Sequence, residues 1–366
     1  MSTSPPWNYT PNLIPILRRA LLKQHEKGQI QRAWLCFPGA VHIAAEGWDI
    51  GWGCGYRNFL MACAALMEQQ TQPMYFPLLD HPMPPGVRNL QHWIENAWKD
   101  GFDEEGAVQL NRKLAGTRKW IGTAELYVAF TSRGVPSHLV DLDLSERDVD
   151  VMLQWVFAYF NDDAHRSDTV QDALRGATPV VVTGKMPLIL QHQGHSRTIV
   201  GCERLRDGSI NLLVFDPSKS VPKELRQAAL PVGSADKTSH SSNQSLKDRI
   251  STSKLFNKIT YPRQGKKKRE AGDPSPSNRA AKRARTGDID EVIVIDSDEE
   301  ISTAQTCKQP AHDKVETEPT KLLKQFRITA SQLKKRDKYQ ILYFPLSDPL
   351  TPSERNERRI VTSIKV

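Results

Sequence analysis

The sequence predicts an α+β fold interrupted by one long polar insertion. Three observations predict it. Apolar residues recur at helical spacing in the N-terminal part, and β-branched runs gather later. From about residue 232 to 318 periodicity stops among Ser, Lys, Asp, Pro and Thr, the composition of disorder. Helical spacing and a strand then resume, so the insertion interrupts a domain. The expected organisation is a flexible lead-in over 1–11, a main domain part over 12–231, a disordered insertion over 232–318, and a closing segment over 319–366.

Asn12 to Gln29 reads as an amphipathic helix, with Leu13, Ile14, Leu17, Leu21 and Leu22 on one face. Ala33 to Cys36 is short and apolar, suited to a strand. Glycines at 47, 51, 53 and 55 mark a turn-rich loop feeding a second helix over Tyr56–Met67. Phe59, Leu60, Cys63, Leu66 and Met67 share its apolar face, and its alanines favour it. Leu90–Lys99 and Ala107–Lys113 read as helices, Glu125–Thr131 and His138–Leu142 as strands, and Val151–Phe160 as an apolar helix. Pro179–Thr183, Arg197–Glu203 and Ile210–Phe215 are β-branched strands, the last two joined by an Arg206-Asp207-Gly208-Ser209 turn. After the insertion, Lys321–Lys335 is helical and Tyr339–Phe344 is a strand.

The 366 residues are 39% hydrophobic and 25% charged, an ordinary globular balance. A net charge of +8 points first to a polyanion. Much of that excess sits in the insertion, which makes nucleic acid an unfavoured partner for the domain. The five cysteines, Cys36, Cys54, Cys63, Cys202 and Cys307, lie far apart without a CxxC pair. Neither a disulfide framework nor a structural metal is expected, and a reducing compartment is. The N-terminal residues lack a signal peptide's apolar core. No apolar run reaches the ~18–20 residues of a membrane span. A soluble protein without cofactor or membrane partner is the expectation.

Cys54 stands in Asp49-Ile50-Gly51-Trp52-Gly53-Cys54-Gly55-Tyr56-Arg57-Asn58, on a Gly-rich turn opening a helix. Cysteine attacks a carbonyl as its thiolate. A helix N-terminus and a nearby imidazolium lower its pKa from ~8.5 to between ~3.5 and 7.5. Flanking glycines let a peptide approach and leave N–H groups for an oxyanion. Alone, such a cysteine reads as packing, as Cys63 does. A second signal changes the balance. Gln191-His192-Gln193-Gly194-His195-Ser196 precedes one strand, and Asp216-Pro217 ends the next. Cys on an early helix, then His and Asp on late strands, is the chain order of papain-like cysteine proteases. His195, which follows a glycine and leads the strand, is preferred to His192 as the base. A tight turn centred on Asp207-Gly208 would set Asp216 opposite Ile199, so a bulge or longer loop has to correct the register.

The motifs DIGWGCGYRN, AWKDGFDEEGAVQLNRKLAGTRKWIGTAELY, LQHQGHSRTIVGCE, LLVFDP and LKKRDKYQIL resemble the catalytic domain of the zinc-finger-containing ubiquitin peptidases, relatives of the ubiquitin-fold-modifier proteases. The resemblance runs from about 12 to 230 and resumes near 320. It implies a papain-like fold, a helical N-terminal part packed on an antiparallel sheet, that hydrolyses isopeptide bonds after a modifier's C-terminal glycine. By motif, Cys54 is the nucleophile, His195 the base and Asp216 the third member. The Cys54 amide is the expected oxyanion donor, with His42 or Gln193 assisting. Asp103 and Glu125 match acidic positions that meet arginines of the ubiquitin tail in the ubiquitin-cleaving members, and Trp52 is assigned to the same tail. Solvated surface charge is the competing reading of the two acids. The zinc fingers have no counterpart here, and Pro217 is followed by Ser218 where the modifier-specific relatives place a histidine. That difference favours ubiquitin, or polyubiquitin, as the substrate.

Two features of the insertion point to partners. Gly265-Lys266-Lys267-Lys268-Arg269 and Lys282-Arg283-Ala284-Arg285 fit a bipartite nuclear import signal, so nuclear as well as cytoplasmic residence is expected. Val292, Ile293, Val294 and Ile295, followed by Asp296-Ser297-Asp298-Glu299-Glu300, resemble a SUMO-interacting motif. Four β-branched residues add a strand to a sheet edge while the acidic flank meets basic residues there. The leading expectation is therefore a deubiquitinase. The alternatives are a protease for the ubiquitin-fold modifier and a non-catalytic ubiquitin- or SUMO-binding adaptor, the last disfavoured by the intact Cys54, His195 and Asp216 set.

Overall fold

The computed structural model describes residues 5–145, 148–161, 178–230 and 319–366. A short strand β1 (Tyr9–Thr10) leads into α1 (Leu13–Glu26), which buries Leu13, Ile14, Leu17 and Leu21. Next come β2 (Ile30–Leu35), β3 (His42–Ile43) and the long α2 (Cys54–Glu68), buried along most of its length. Helices α3 (Tyr75–Asp80), α4 (Val87–Lys99), α5 (Glu104–Gln109) and α6 (Thr123–Ser132) follow. Then come β4 (His138–Asp143), α7 (Asp150–Asn161) and β5 (Val180–Val182). Strands β6 (Leu188–His192), β7 (His195–Leu205) and β8 (Ile210–Phe215) run nearly without a break before α8 (Lys223–Ala229). The closing segment supplies α9 (Pro319–Phe326), β9 (Arg327–Ile328), α10 (Ala330–Leu333), β10 (Lys338–Tyr343), α11 (Pro352–Glu357) and β11 (Ser363–Lys365). No described helix is long and apolar enough to cross a membrane.

One mixed, mostly antiparallel sheet organises the chain in the order β11-β4-β10-β6-β7-β2-β5, with β8 and β9 branching from β7. Strand β10 lies antiparallel between β4 and β6, so the segment after residue 318 fills the middle of the sheet. Helix α2 packs on β7, and Tyr56, Phe59 and Leu66 join Phe130, Ile199 and Leu213 in a continuous core. Burying side chains of this size contributes roughly 1.5–3 kcal/mol each.

Three expectations are corrected. Glu125–Thr131 is helix α6. Its β-branched and aromatic residues read as strand, but Glu125 Oε2 accepts from the Gly122 amide at 2.6 Å and caps a helical turn. Lys321–Lys335 is not one helix, since β9 pairs with β8 and Thr329 starts α10 as a new capped turn. The helix expected over Ala107–Lys113 lies earlier, as α5: Asp103 caps its start, and Asn111 and Arg112 at φ 51° and 48° follow its end. The insertion over 232–318, with its basic clusters and Val292–Ile295, lies outside the described residues.

Candidate active site

Cys54 is the first residue of α2, after Gly53. The first amides of a helix have no carbonyl partner inside it, and they carry the positive end of the dipole. The loop before it is braced from within. Asp49, fully buried, accepts from Arg57 Nε at 2.6 Å and from the Glu46 amide at 2.6 Å. A Cβ at Gly53 would run into the Asp49 carboxylate, and one at Gly55 into the Ile121 carbonyl. The glycines are therefore required by close approach of neighbours. Cys36, Cys63 and Cys202 are buried and their thiols are pushed up by burial, whereas Cys54 is partly exposed.

His195 and Asp216 come from the β7–β8 hairpin. The turn spans three residues, with the Leu205 amide donating to the Ser209 carbonyl, and a bulge shifts the pairing between Ile199 and Gly201. Each moves the register by one position. Thr198 then faces Phe215, which sets Asp216 level with Arg197 on the face that also carries His195. His195 Nε2 meets Asp216 Oδ1 at 2.8 Å. Arg197 Nε donates to Asp216 Oδ2 at 2.8 Å, and the Ser218 amide and hydroxyl donate to Oδ1 at 3.0 and 2.7 Å. His42 Nε2 meets the Asp216 carbonyl at 3.0 Å. The acid is thus fixed at both oxygens and at its backbone.

Burial alone would raise the Cys54 thiol, but hydrogen bonds from His195 and Ser196 and the His195 charge carry it below its ordinary value. Burial would lower His195, yet its bonds to Asp216 and Cys54 push it up to about 9. Asp216, despite burial, is held well below the carboxylate range by His195, Ser218 and Arg197. All three shifts favour the charged form of their group: thiolate, imidazolium and carboxylate. Because Nε2 is on Asp216, Nδ1 is the nitrogen that faces the sulfur.

His192 occupies a different place. Its Nε2 lies 3.2 Å from Arg197 Nη1, its Nδ1 meets the Gln193 carbonyl at 2.9 Å, and burial lowers its pKa. It is not at the carboxylate. His42 does not fit an oxyanion role. Burial holds the ring neutral, Nε2 donates to the Asp216 carbonyl, and Nδ1 therefore bears a lone pair and no proton. Gln193 is exposed on the turn before His195. Trp52 is also corrected: it is 8% exposed, its Nε1 donates to the Trp48 carbonyl, and its ring packs on Trp48 and Tyr56. It belongs to the loop's own packing.

Asp103 and Glu125 do lie close enough to act on one another. Burial raises the Glu125 carboxyl first and the Asp103 charge raises it further, while the Gly122 amide opposes both. Asp103 Oδ1 accepts from the Gly106 amide at 3.1 Å, and its Oδ2 is buried without a partner among the described residues. A carboxylate oxygen left bare in this way accommodates a cation.

Sequence reasoning missed Trp120. It is 51% exposed, it touches the Gly194 side of the turn before His195, and it adjoins Ile121, whose carbonyl meets Gly55. No periodicity marks it, because it lies in an irregular stretch. An open cleft of about 990 Å³ adjoins the same turn, lined among others by Gln191, His192, Gln193, Tyr339, Asp141 and Asp143. Among the described residues no cluster of three or more His, Cys, Asp and Glu has metal-holding geometry.

A sheet that hands a histidine and an aspartate to a cysteine at the mouth of a packed helix defines the papain-like cysteine peptidases, and the described domain has that architecture. Residues 29–257, more than half of the chain, match peptidase family C78, and the chain belongs to that family. The human zinc finger-containing ubiquitin peptidase 1 is 36% identical over 224 residues, covering 60% of this chain and 36% of the human protein. The bovine protein of the same name is 38% identical over 197 residues, 53% of this chain and 32% of its own length. The fission-yeast ubiquitin carboxyl-terminal hydrolase mug105 is 35% identical over 179 residues, 48% of this chain and 64% of its own. The chain thus spans about a third of its mammalian relatives. A crystal structure of UfSP from C. elegans overlaps 57% of this chain and 32% of its own at 14% identity and a TM-score of 0.30.

Proposed function

We propose that this cysteine peptidase is a deubiquitinase, cutting the isopeptide bond that follows the C-terminal glycine of ubiquitin, in chains or on other proteins. The observation that carries the peptidase half is the 2.8 Å pair of His195 and Asp216, with His195 also drawing the Cys54 thiol below its ordinary value. Cys54 is the nucleophile. Its thiolate attacks the glycine carbonyl, and the resulting oxyanion takes hydrogen bonds from the free amides at the start of α2. His195 Nδ1 gives its proton to the departing lysine amine, leaving a thioester on Cys54. The neutral imidazole then takes a proton from water, the hydroxide attacks the thioester, and ubiquitin leaves with a free carboxylate while the thiolate is restored. Asp216 orients the ring and stabilises its charged form throughout.

Support for ubiquitin comes from Asp103 and Glu125, two carboxylates that act on one another, one of them with a buried oxygen that has no partner among the described residues, a charge suited to arginines on an extended tail. The names of the matched relatives point the same way. The alternative is a protease for the ubiquitin-fold modifier. Against it stands Ser218, which follows Pro217 and spends both its amide and hydroxyl on the acid, while the base comes from a separate strand. The nuclear reading of the basic clusters and the SUMO reading of Val292–Ile295 rest on sequence. Deleting 264–286 and following localisation tests the first, and replacing the four β-branched residues by alanine in a SUMO pull-down tests the second.

The deciding experiment incubates the full chain with ubiquitin, SUMO and the ubiquitin-fold modifier, each bearing a C-terminal electrophile. Covalent capture of ubiquitin through Cys54 is expected. Capture of another modifier alone would replace the substrate, and capture of none would return the chain to a binding role.

A further inference from the structure

The start of α6 is held from outside the helix. Its first amides have no carbonyl partner within it, and two side chains take them. Glu125 Oε2 accepts from the Gly122 amide at 2.6 Å, which is a local contact. Gln191 Oε1, 68 residues away on β6, accepts from the Thr123 amide at 2.5 Å. The Thr123 hydroxyl lies 2.8 Å from the same oxygen and also meets Gln340 Oε1, so the amide is the donor that Gln191 does not share. Thr123 is 1% exposed, and bulk water does not replace this contact. Gly122 fits closely against it, since a Cβ there would stand 2.6 Å from the Gln191 amide. Gln191 pairs with Ser196 across the β6–β7 ladder, one step before His192 pairs with His195. The residues just ahead of Gly122 also reach the site: the Trp120 ring lies beside Gly194, and the Ile121 carbonyl lies against Gly55.

We infer that Gln191 is a positioning residue, a cap on α6 supplied by the strand that leads to His195, which holds Glu125 in register with that base for an extended tail. This deepens the ubiquitin reading and rests on Glu125 meeting an arginine of the tail. The physical reason is length. An extended chain rises about 3.3 Å per residue. A tail anchored at its arginine therefore brings its last carbonyl to Cys54 only when anchor and reacting groups keep a set separation. A misplacement of about 1 Å is costly. Glu125 binds the Gly122 amide and Gln191 the next amide along, so two successive amides join the anchor to the β6–β7 hairpin. The cap acts by accepting a hydrogen bond. A carboxylate at 191 replaces it, and a thioether, a weak acceptor, does not.

The test is a cycle read as kcat/KM with the full chain and two substrates. One is ubiquitin carrying a fluorogenic amine on its C-terminal glycine, and the other is the same molecule with its tail arginines replaced by alanine. Gln191→Met is expected to lower kcat/KM about fivefold on the first, the effect of one lost hydrogen bond, and by less than about twofold on the second. Gln191→Glu, which keeps the acceptor, is expected to recover the wild-type value. Gly122→Ala drives a methyl into the Gln191 amide and is expected to give the same substrate-dependent loss. It decides the matter if Gln191→Met does not fold. An equal loss on both substrates overturns the inference, since the cap then serves the fold alone. No loss, or a loss that Gln191→Glu fails to recover, overturns it too. A wild type that cleaves both substrates equally well removes Glu125 from the tail, and the inference falls with that reading. Failure confined to the variants, beside a wild type that does discriminate, removes the cap and leaves the tail reading in place.

Discussion

The approach loop to Cys54 and the hairpin that carries His195 and Asp216 solve the same problem by opposite means. The loop places its sulfur by local backbone geometry, with a helix start, glycines forced by close contacts, and Arg57 held to Asp49 eight residues away. The hairpin places its groups by register, through a three-residue turn and a bulge that must both be present for Asp216 to draw level with Arg197. A local device is written in adjacent residues. A register device is the sum of offsets spread over twenty residues. The Cys54 side therefore depends on neighbours in sequence and on the Ile121 carbonyl at Gly55, whereas the His195–Asp216 side inherits every slip along β7 and β8.

The largest effect should come from Cys54→Ala, which leaves both regions built and removes the reacting atom. Turnover is expected to fall by about 10⁴-fold or more, with the thermal midpoint nearly unchanged. Activity close to wild type would reject the nucleophile. Next comes Asp216→Asn, a blow to the hairpin alone, expected to cost about 10²–10⁴-fold in kcat. Its signature lies in the pH profile. The working pair is thiolate plus imidazolium, so wild-type activity rises as Cys54 loses its proton, below its ordinary value, and falls as His195 loses its own near 9. Because Asp216 is what raises His195, the falling limb should move to lower pH in the variant. A limb fixed near 9 would mean that Asp216 is not the controlling partner.

Smaller effects sharpen the contrast. Charge reversal of Asp103 or Glu125, each also the cap of a helix start, is expected to lower the thermal midpoint and, in the folded protein, to raise KM for ubiquitin substrates about tenfold with kcat little changed. Equal constants in variant and wild type would leave both as surface charges. Gly55→Ala forces a methyl against the Ile121 carbonyl, which typically costs about 1–3 kcal/mol, and should lower the thermal midpoint by a few degrees. An undisturbed midpoint would show that the loop yields more readily than its packing implies.

The same contrast explains what was legible in the sequence. Cys54, the helix behind it and the turn before it could be read because dipole, glycines and apolar spacing act over a few residues. The need for a register correction was also legible, since the straight count put Asp216 opposite Ile199. Where the correction fell was not, because nothing in Ile199-Val200-Gly201 announces a bulge apart from the glycine, at φ 158°. Strand β6 was missed for a related reason: buried on both sides between β10 and β7, it shows no alternation. Helix α6 was misread because its β-branched and aromatic residues obey propensity in isolation, and the Glu125 cap together with burial overrides it. Trp120 carries no local signature, since its position beside Gly194 arises only when segments far apart in sequence meet.

Strand β10 has a consequence in time. Cys54, His195 and Asp216 have all been synthesised by residue 216, yet β4 and β6 acquire their shared neighbour only when 338–343 emerge. Until then His192 lacks the Tyr339 ring beside it, and the sheet under the base is split into two pieces. A nascent chain therefore carries all three side chains well before it owns the strand that joins the two halves of the sheet beside them.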